Sequence, residues 1–189
     1  MTDTITLPPT PILETTRLRL RPLEWRDIPA IQKGFPQWAV VRHLHAGIPW
    51  PYPEDGAEAN VRECLEQRER GERFFWAITL KGGDDELIGR IDLWRPNENR
   101  DVRGFWLNPA FHGRGLMTEA AERVTQYAFE DLAWPLLYLT NAEANHASHR
   151  IKEKQGALII DRSPDAYMDG PGVRVTWLLT RHAWLTRRG

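Results

Sequence analysis

Apolar residues recur along the chain with the two periods of regular secondary structure. Polar and apolar residues alternate over residues 17–21, which predicts a half-buried strand. Six further apolar runs of strand length are bounded mostly by Gly, Pro, Asn or Asp. These predicted strands are residues 74–80, 86–94, 102–107, 136–140, 157–161 and 173–180.

The second period places apolar residues three and four positions apart, which predicts helices with one buried face. Ala121, Val124 and Ala128 follow this spacing. The predicted helices are residues 24–33, 54–70, 118–129 and 147–155. Because strands come first as a meander and later alternate with helices, the pattern predicts an α/β fold with a mixed sheet.

Three segments are predicted to lie outside the regular helices and strands. Residues 35–53 are rich in aromatic residues and proline, and a long irregular piece inside a compact domain is usually functional. Residues 163–172 are predicted to be a loop because Asp, Pro and Gly are frequent there. Residues 181–188 are predicted to be a short tail.

Residues 105–118 place a strand, a glycine-bearing turn and a helix start in direct succession. Gly113 and Gly115 permit positive φ and let the backbone approach a ligand closely. The first amides of a helix lack intrahelical partners, and the helix dipole is positive at that end. With Arg114 as a nearby cation, the stretch is typical of a phosphate site. An ordinary strand-to-helix loop, whose glycines only permit the turn, explains the same residues.

Other classes of site find no support in the sequence. The Gly-x-x-x-x-Gly-Lys-Ser/Thr and Gly-x-Gly-x-x-Gly phosphate motifs are absent. The same holds for the Gly-x-Ser-x-Gly elbow of serine hydrolases and for His-Glu-x-x-His metal spacing, and Cys64 has no second cysteine to form a zinc site. We therefore expect no metal site.

Three motifs together resemble one known family. Residues 104–120 look like the acetyl-CoA-binding segment of the GNAT superfamily of N-acyltransferases, most similar to the branch with the ribosomal-protein N-terminal acetyltransferases (RimJ/RimL type). Residues 145–148 and 153–156 resemble that branch's second signature, and residues 13–22 its opening strand. The motifs occur in the family's order from about residue 12 to about residue 180.

The resemblance implies a fold and a reaction. The fold would be a single α/β domain over residues 12–189, with about seven mostly antiparallel strands in a twisted sheet flanked by helices. Its fourth and fifth strands would splay into a V. Residues 1–11, rich in proline, are predicted to be a flexible tail. The reaction would transfer an acetyl group from acetyl-CoA directly to a primary amine, either a protein N-terminus or a small molecule.

The resemblance also implies which residues contact acetyl-CoA. The fourth strand would pair with the pantetheine arm, the turn and helix start would take the pyrophosphate, and Ser148 would face the thiol. Asn145 would bind the arm; a helix N-cap is the alternative role for this residue. The implied cofactor-binding residues are Phe105, Trp106, Leu107, His112, Gly113, Arg114, Gly115, Leu116, Met117, Thr118, Asn145, Ser148 and Lys152.

The candidate catalytic residues are Ser148, Asp101 and Glu98. The family often has a Tyr acid where this chain has Lys152, which leaves Ser148 as the candidate acid. The family's Glu before the fourth strand is replaced by Val102, with Asp101 and Glu98 nearby as candidate bases. A carboxylate base near pH 7 needs a raised pKa or a water relay. A non-catalytic acyl-CoA-binding or regulatory protein with the same fold is the alternative function.

Composition limits the partners. A chain of 189 residues with 41% hydrophobic residues is long enough for one domain with a substantial core. A net charge of −1 gives no electrostatic reason to expect nucleic-acid binding. The start has no secretory signal, no apolar stretch is long enough to cross a bilayer, and the single cysteine fits a reducing compartment. We expect a cytoplasmic monomer or homodimer without nucleic-acid or membrane partners.

Overall fold

The computed structural model describes residues 6–95 and 101–188. The strands in these ranges are β1 (Leu13–Glu14), β2 (Leu18–Pro22), β3 (Arg73–Leu80), β4 (Gly89–Trp94), β5 (Arg103–Leu107), β6 (Leu136–Ala142), β7 (Leu158–Tyr167) and β8 (Gly170–Thr180). The α-helices are α1 (Ile28–Gly34), α2 (Trp38–Val41), α3 (Gly56–Glu69), α4 (Leu116–Gln126), α5 (His146–Gln155) and α6 (Arg181–Arg188). All seven predicted strands and all four predicted helices are present, with shifted ends.

The strands form two sheets that meet at a V. One sheet has the order β1-β2-β3-β4-β5 and the other β6-β8-β7, and every ladder in the described residues is antiparallel. The amide of Val102, just before β5, donates to the carbonyl of Tyr138 on β6 at 3.0 Å. Beyond this bond β5 and β6 belong to separate sheets. The predicted V between the fourth and fifth predicted strands is therefore confirmed. In the structure these two strands are β5 and β6, because the short β1 precedes the first predicted strand.

Helices cover both faces of the larger sheet, because its central strand is apolar on both sides. In β3, Phe74 and Trp76 belong to the same buried cluster as Val124 of α4. Phe75, on the opposite face of β3, belongs with Val61 of α3 to a second buried cluster. Since successive side chains of a strand point to opposite faces, this one strand anchors both layers. The packing fixes α4, and with it the start of α4 beside β5.

The predicted loop at residues 163–172 is wrong, because β7 and β8 continue through it as one long hairpin. The register runs from Leu158 opposite Leu178 to Tyr167 opposite Gly170. Pro164 is tolerated because β7 is an edge strand, where a missing amide need not interrupt a ladder. Local composition favoured a loop, but pairing along the whole hairpin gives the backbone N–H and C=O groups their hydrogen bonds.

The predicted tail at residues 181–188 is also wrong, because these residues form α6. Trp184 is buried, and its ring lies 5.5 Å from that of Phe129. The hydroxyl of Thr180 accepts a hydrogen bond from the Ala183 amide at 3.1 Å and so caps the helix. The Thr cap and the apolar Trp184 were the available signals in the sequence.

The described residues before β1 form hydrogen bonds with the rest of the domain. The Leu7 amide donates to the Gly71 carbonyl at 2.9 Å, and the indole of Trp76 donates to the Pro11 carbonyl at 2.7 Å. The division of the chain at residue 12 stays a prediction.

Candidate active site

A cleft of about 600 Å³ opens where the two sheets separate. Its walls come from β5, the turn before α4, the start of both α4 and α5, and the segment around α2. The lining residues are 39–40, 42–44, 105–107, 111–113, 115–118, 144–148, 150, 151 and 154. All the predicted cofactor residues line this cleft except Arg114 and Lys152.

The glycine turn has the conformation that its sequence predicted. Gly113 and Gly115 have φ of +75° and +73°, in the left-handed region that favours glycine. Gly115 is the residue immediately before α4, so the free amides at the start of that helix lie in the wall of the cleft. A Cβ added at Gly113 would meet no protein atom within 4 Å. This end of the cleft has both the amides and the space for an anion.

Two side chains of the turn hold it in place. His112 Nε2 lies 2.7 Å from the Leu107 carbonyl oxygen, to which it donates, and so ties the turn to the end of β5. Arg114 Nη2 donates to the Ala110 carbonyl at 3.0 Å. This bond directs the Arg114 side chain toward the preceding residues of the turn. The predicted phosphate contact of Arg114 stays a prediction.

The first turn of α5 brings Asn145 and Ser148 to the cleft. Asn145 Oδ1 accepts a hydrogen bond from the Ser148 amide at 3.1 Å, so Asn145 is the N-cap of α5 and also lines the cleft. The Ser148 hydroxyl accepts a hydrogen bond from Lys152 Nζ at 2.7 Å. Ser148 is therefore a polar group in the wall with a charged partner behind it.

Three ionisable side chains are clustered behind this wall. Lys152 is 2% exposed, and burial lowers its pKa to about 7. Arg103 is also buried, and burial lowers its pKa to about 10; it donates to Thr125 Oγ1 at 2.7 Å. Burial raises the pKa of Asp101, which accepts a hydrogen bond from Thr140 Oγ1 at 2.8 Å.

The candidate bases predicted from the sequence are not brought together at the cleft. Asp101 faces Thr140 of β6 and is not among the residues that line the cleft. Glu98 lies outside the described residues. Their catalytic roles stay predictions.

His43 is a cleft residue whose partner the sequence could not indicate. It follows α2, and its Nδ1 lies 3.3 Å from Asp169 Oδ2 in the β7–β8 turn. The amide of Asp169 donates to the Arg42 carbonyl at 3.1 Å, and that of Met168 donates to the Leu44 carbonyl at 3.0 Å. Burial and the nearby Arg42 charge lower the pKa of His43. The wall of the cleft therefore holds an imidazole that is mainly neutral at pH 7.

Two kinds of feature are missing from the part of the chain that the structure describes. Within residues 6–95 and 101–188, no helix is long and apolar enough to cross a membrane. The same ranges contain no group of three or more His, Cys, Asp or Glu side chains arranged to hold a metal ion.

Comparison with known proteins supports the resemblance seen in the motifs. Residues 17–158 match the model of the acetyltransferase (GNAT) domain. The Bacillus subtilis (strain 168) protein named "Probable N-acetyltransferase YjcK" is 32% identical over 108 residues, which cover 56% of this chain and 59% of that protein. The match thus spans about three fifths of the length of YjcK.

Solved structures share the fold at low identity. RimL, the ribosomal L7/L12 alpha-N-protein acetyltransferase, in complex with coenzyme A superposes with a TM-score of 0.77 at 16% identity, over 92% of this chain and 99% of that chain. The ribosomal-protein-S5-alanine acetyltransferase from Vibrio fischeri gives a TM-score of 0.76 at 12% identity, over 92% and 98%. The domain match covers most of the chain, and the fold and cleft agree with it. The chain belongs to the GNAT family of acetyltransferases.

Proposed function

We propose that this protein transfers an acetyl group from acetyl-CoA to a primary amine, by direct attack of the amine within a ternary complex. The observation that carries the proposal is the V-shaped cleft between β5 and α5, with the free amides of α4 at one end and Ser148 in the wall. The acceptor is a protein N-terminus or a small-molecule amine. A cytoplasmic monomer or homodimer remains our expectation.

The cleft residues fit an extended acyl-CoA molecule. The amides at the start of α4, beside the open space at Gly113, would bind the pyrophosphate. The edge of β5 that faces away from β4 would pair with the pantetheine arm, since an open strand edge presents unpaired backbone groups. An amide of that edge would polarise the thioester carbonyl. The thiol end would then lie beside Ser148.

Two cleft side chains are suited to the proton transfers. The Ser148 hydroxyl would protonate the departing thiolate, and His43 would accept a proton from the attacking amine. Asp169, beside His43 Nδ1, would orient the imidazole and stabilise its protonated form. Nothing in this arrangement needs a metal ion.

Ligand-dependent unfolding tests the donor site. Acetyl-CoA or CoA at about a hundredfold excess over its dissociation constant should add about 2.7 kcal/mol to the free energy of unfolding. ATP and NAD at equal concentrations serve as controls. The proposal fails if no CoA species raises the unfolding temperature. A shift with CoA but no thiol release with any amine would instead favour the non-catalytic acyl-CoA-binding alternative.

Replacing His43 with Gln should lower kcat by about tenfold at pH 7. This loss is smaller than is usual when a general base is removed, because water can accept the proton in an open cleft. Since neutral imidazole is the active form and its pKa is lowered in the free protein, wild-type kcat/KM should rise with pH through a value below the ordinary histidine pKa. This rise should disappear in His43→Gln. The pH dependence of thiol release measures both effects.

The matched control is His45→Gln, because the His45 side chain is 75% exposed and does not line the cleft. Its rate and its pH profile should equal those of the wild-type protein. Equal losses in the two variants would show that the segment, rather than the His43 imidazole, supports the rate.

A further inference from the structure

Lys152 is a buried cation that the proposed transfer chemistry does not otherwise use. It lies one helical turn after Ser148 on α5 and is 2% exposed. Its ammonium donates to the Ser148 hydroxyl at 2.7 Å and lies 5.7 Å from the centre of the Phe105 ring. Burying a charged amine costs free energy unless the charge is paired. A carboxylate that neutralised the ammonium would usually be in direct contact with it. The Lys152 ammonium instead donates a hydrogen bond to a hydroxyl in the wall of the cleft.

We propose that Lys152 is a positioning residue that supplies, through the Ser148 hydroxyl, the proton taken up by the departing CoA thiolate. The inference rests on the proposed acetyl transfer. A serine hydroxyl alone is a weak acid, so its proton can leave readily only if another is delivered to the same oxygen. The Lys152–Ser148 hydrogen bond provides that delivery at 2.7 Å.

The proposed transfer forms one bond to the acetyl carbon, breaks another and moves three protons. The amine nitrogen bonds to the acetyl carbonyl carbon, and the carbon–sulfur bond breaks with its electron pair going to sulfur. The Ser148 proton passes to sulfur while a Lys152 proton passes to Ser148 Oγ. The amine gives up its own proton to the base, which is His43 in the proposed function. Lys152 is left as a neutral amine and regains its proton from water through Ser148 once CoA has departed.

The surroundings of Lys152 make its ammonium a ready proton donor. On its own helix it is near His149, and from the β5 side it faces Asp101 and Arg103. Burial lowers the pKa of Lys152 most, the Arg103 charge lowers it further, and the Asp101 carboxylate raises it, which leaves it at about 7. The ammonium is therefore the main form below that pH in the free protein, and kcat/KM should fall as the pH rises above it.

A titration of the free protein tests the inference without any transfer reaction. The chain has four lysines, so NMR of their side-chain 13Cε atoms gives few resonances. The resonance that is present in the wild-type spectrum and absent from that of Lys152→Met belongs to Lys152. In the wild-type protein it should titrate near pH 7. A midpoint near the ordinary lysine value, about 10.4, would overturn the inference.

Kinetics then separates a proton relay from a structural role. Lys152→Met, which keeps a similar length without the charge, should lower kcat more than tenfold and remove the fall at high pH. Its unfolding temperature should still rise with acetyl-CoA as in the wild-type protein. Lys33→Met removes an exposed lysine of α1 that does not line the cleft, and should leave kcat unchanged.

A double-mutant cycle gives the decisive comparison. Because Lys152 acts through Ser148, Lys152→Met should cause no further loss of kcat when Ser148 is already Ala. Independent, multiplying losses would overturn the inference, as would a Lys152→Met protein with wild-type kcat and pH profile. After either of these results, acetyl-CoA binding and turnover by the wild-type protein would still support the proposed function. A wild-type protein that binds no CoA species would contradict both the proposed function and the inference about Lys152.

Discussion

Ser148→Ala protein is expected to turn over acetyl-CoA about 10²–10⁴-fold more slowly than the wild-type protein, in the range typical for loss of a general acid. The change removes the hydroxyl that lies between the cleft and Lys152. It keeps the Ser148 backbone amide, which donates to Asn145 Oδ1, so the start of α5 should stay intact. The rate of thiol release at saturating acetyl-CoA and amine measures the effect on kcat.

The loss should appear in kcat and leave the affinity for acetyl-CoA nearly unchanged, because the hydroxyl acts on the leaving group. Thr186→Ala is the control: it removes a hydroxyl from α6 that donates to the His182 carbonyl at 3.0 Å, away from the cleft. A Ser148→Ala protein with wild-type kcat would show that the proton reaches the thiolate by another route.

Gly113→Val protein is expected to bind acetyl-CoA about ten- to a hundredfold more weakly. The new side chain would fill the open space beside the α4 amides and strain a backbone held at φ +75°. Each hydrogen bond lost to a charged group costs about 1.5–3 kcal/mol, and about 1.4 kcal/mol is a factor of ten in affinity. Calorimetric titration with acetyl-CoA measures the change.

Gly82 offers a close control for backbone strain. Its φ is +76°, a Cβ there would also meet no protein atom within 4 Å, and it lies in the turn after β3, outside the cleft. Both Val variants should lose about 1–2 kcal/mol of stability, the usual cost of a left-handed conformation for a residue with a side chain. Only Gly113→Val should lose affinity. Equal affinities for the two variants would exclude the turn as the pyrophosphate site.

The sequence predicted those elements whose signals are local. Periodicity located α3 and α4 and all the longer strands, because apolar spacing reflects which face each element buries. Gly113 and Gly115 predicted positive φ, since few other residues adopt it without strain. The motifs also predicted the V, which the separate sheets confirm.

The errors fall where a distant contact outweighs local composition. Residues 163–172 look like a loop, yet pairing with the other strand of the hairpin holds them as β7 and β8. Residues 181–188 form a helix around the buried ring of Trp184, which packs against Phe129. Neither contact could be predicted from residues nearby in the chain.

In the candidate site, too, some features depend on local sequence and others on contacts between distant parts of the chain. The sequence by itself determined the family, the positive-φ glycine turn before α4 and the place of Ser148 on a helix, because each depends on a short run of residues. Only the tertiary structure decided that Asp101 faces β6, that His43 lies 3.3 Å from Asp169, and that Lys152 is buried behind Ser148. Proton transfer depends on distance and desolvation, and both are set by packing between elements far apart in the chain.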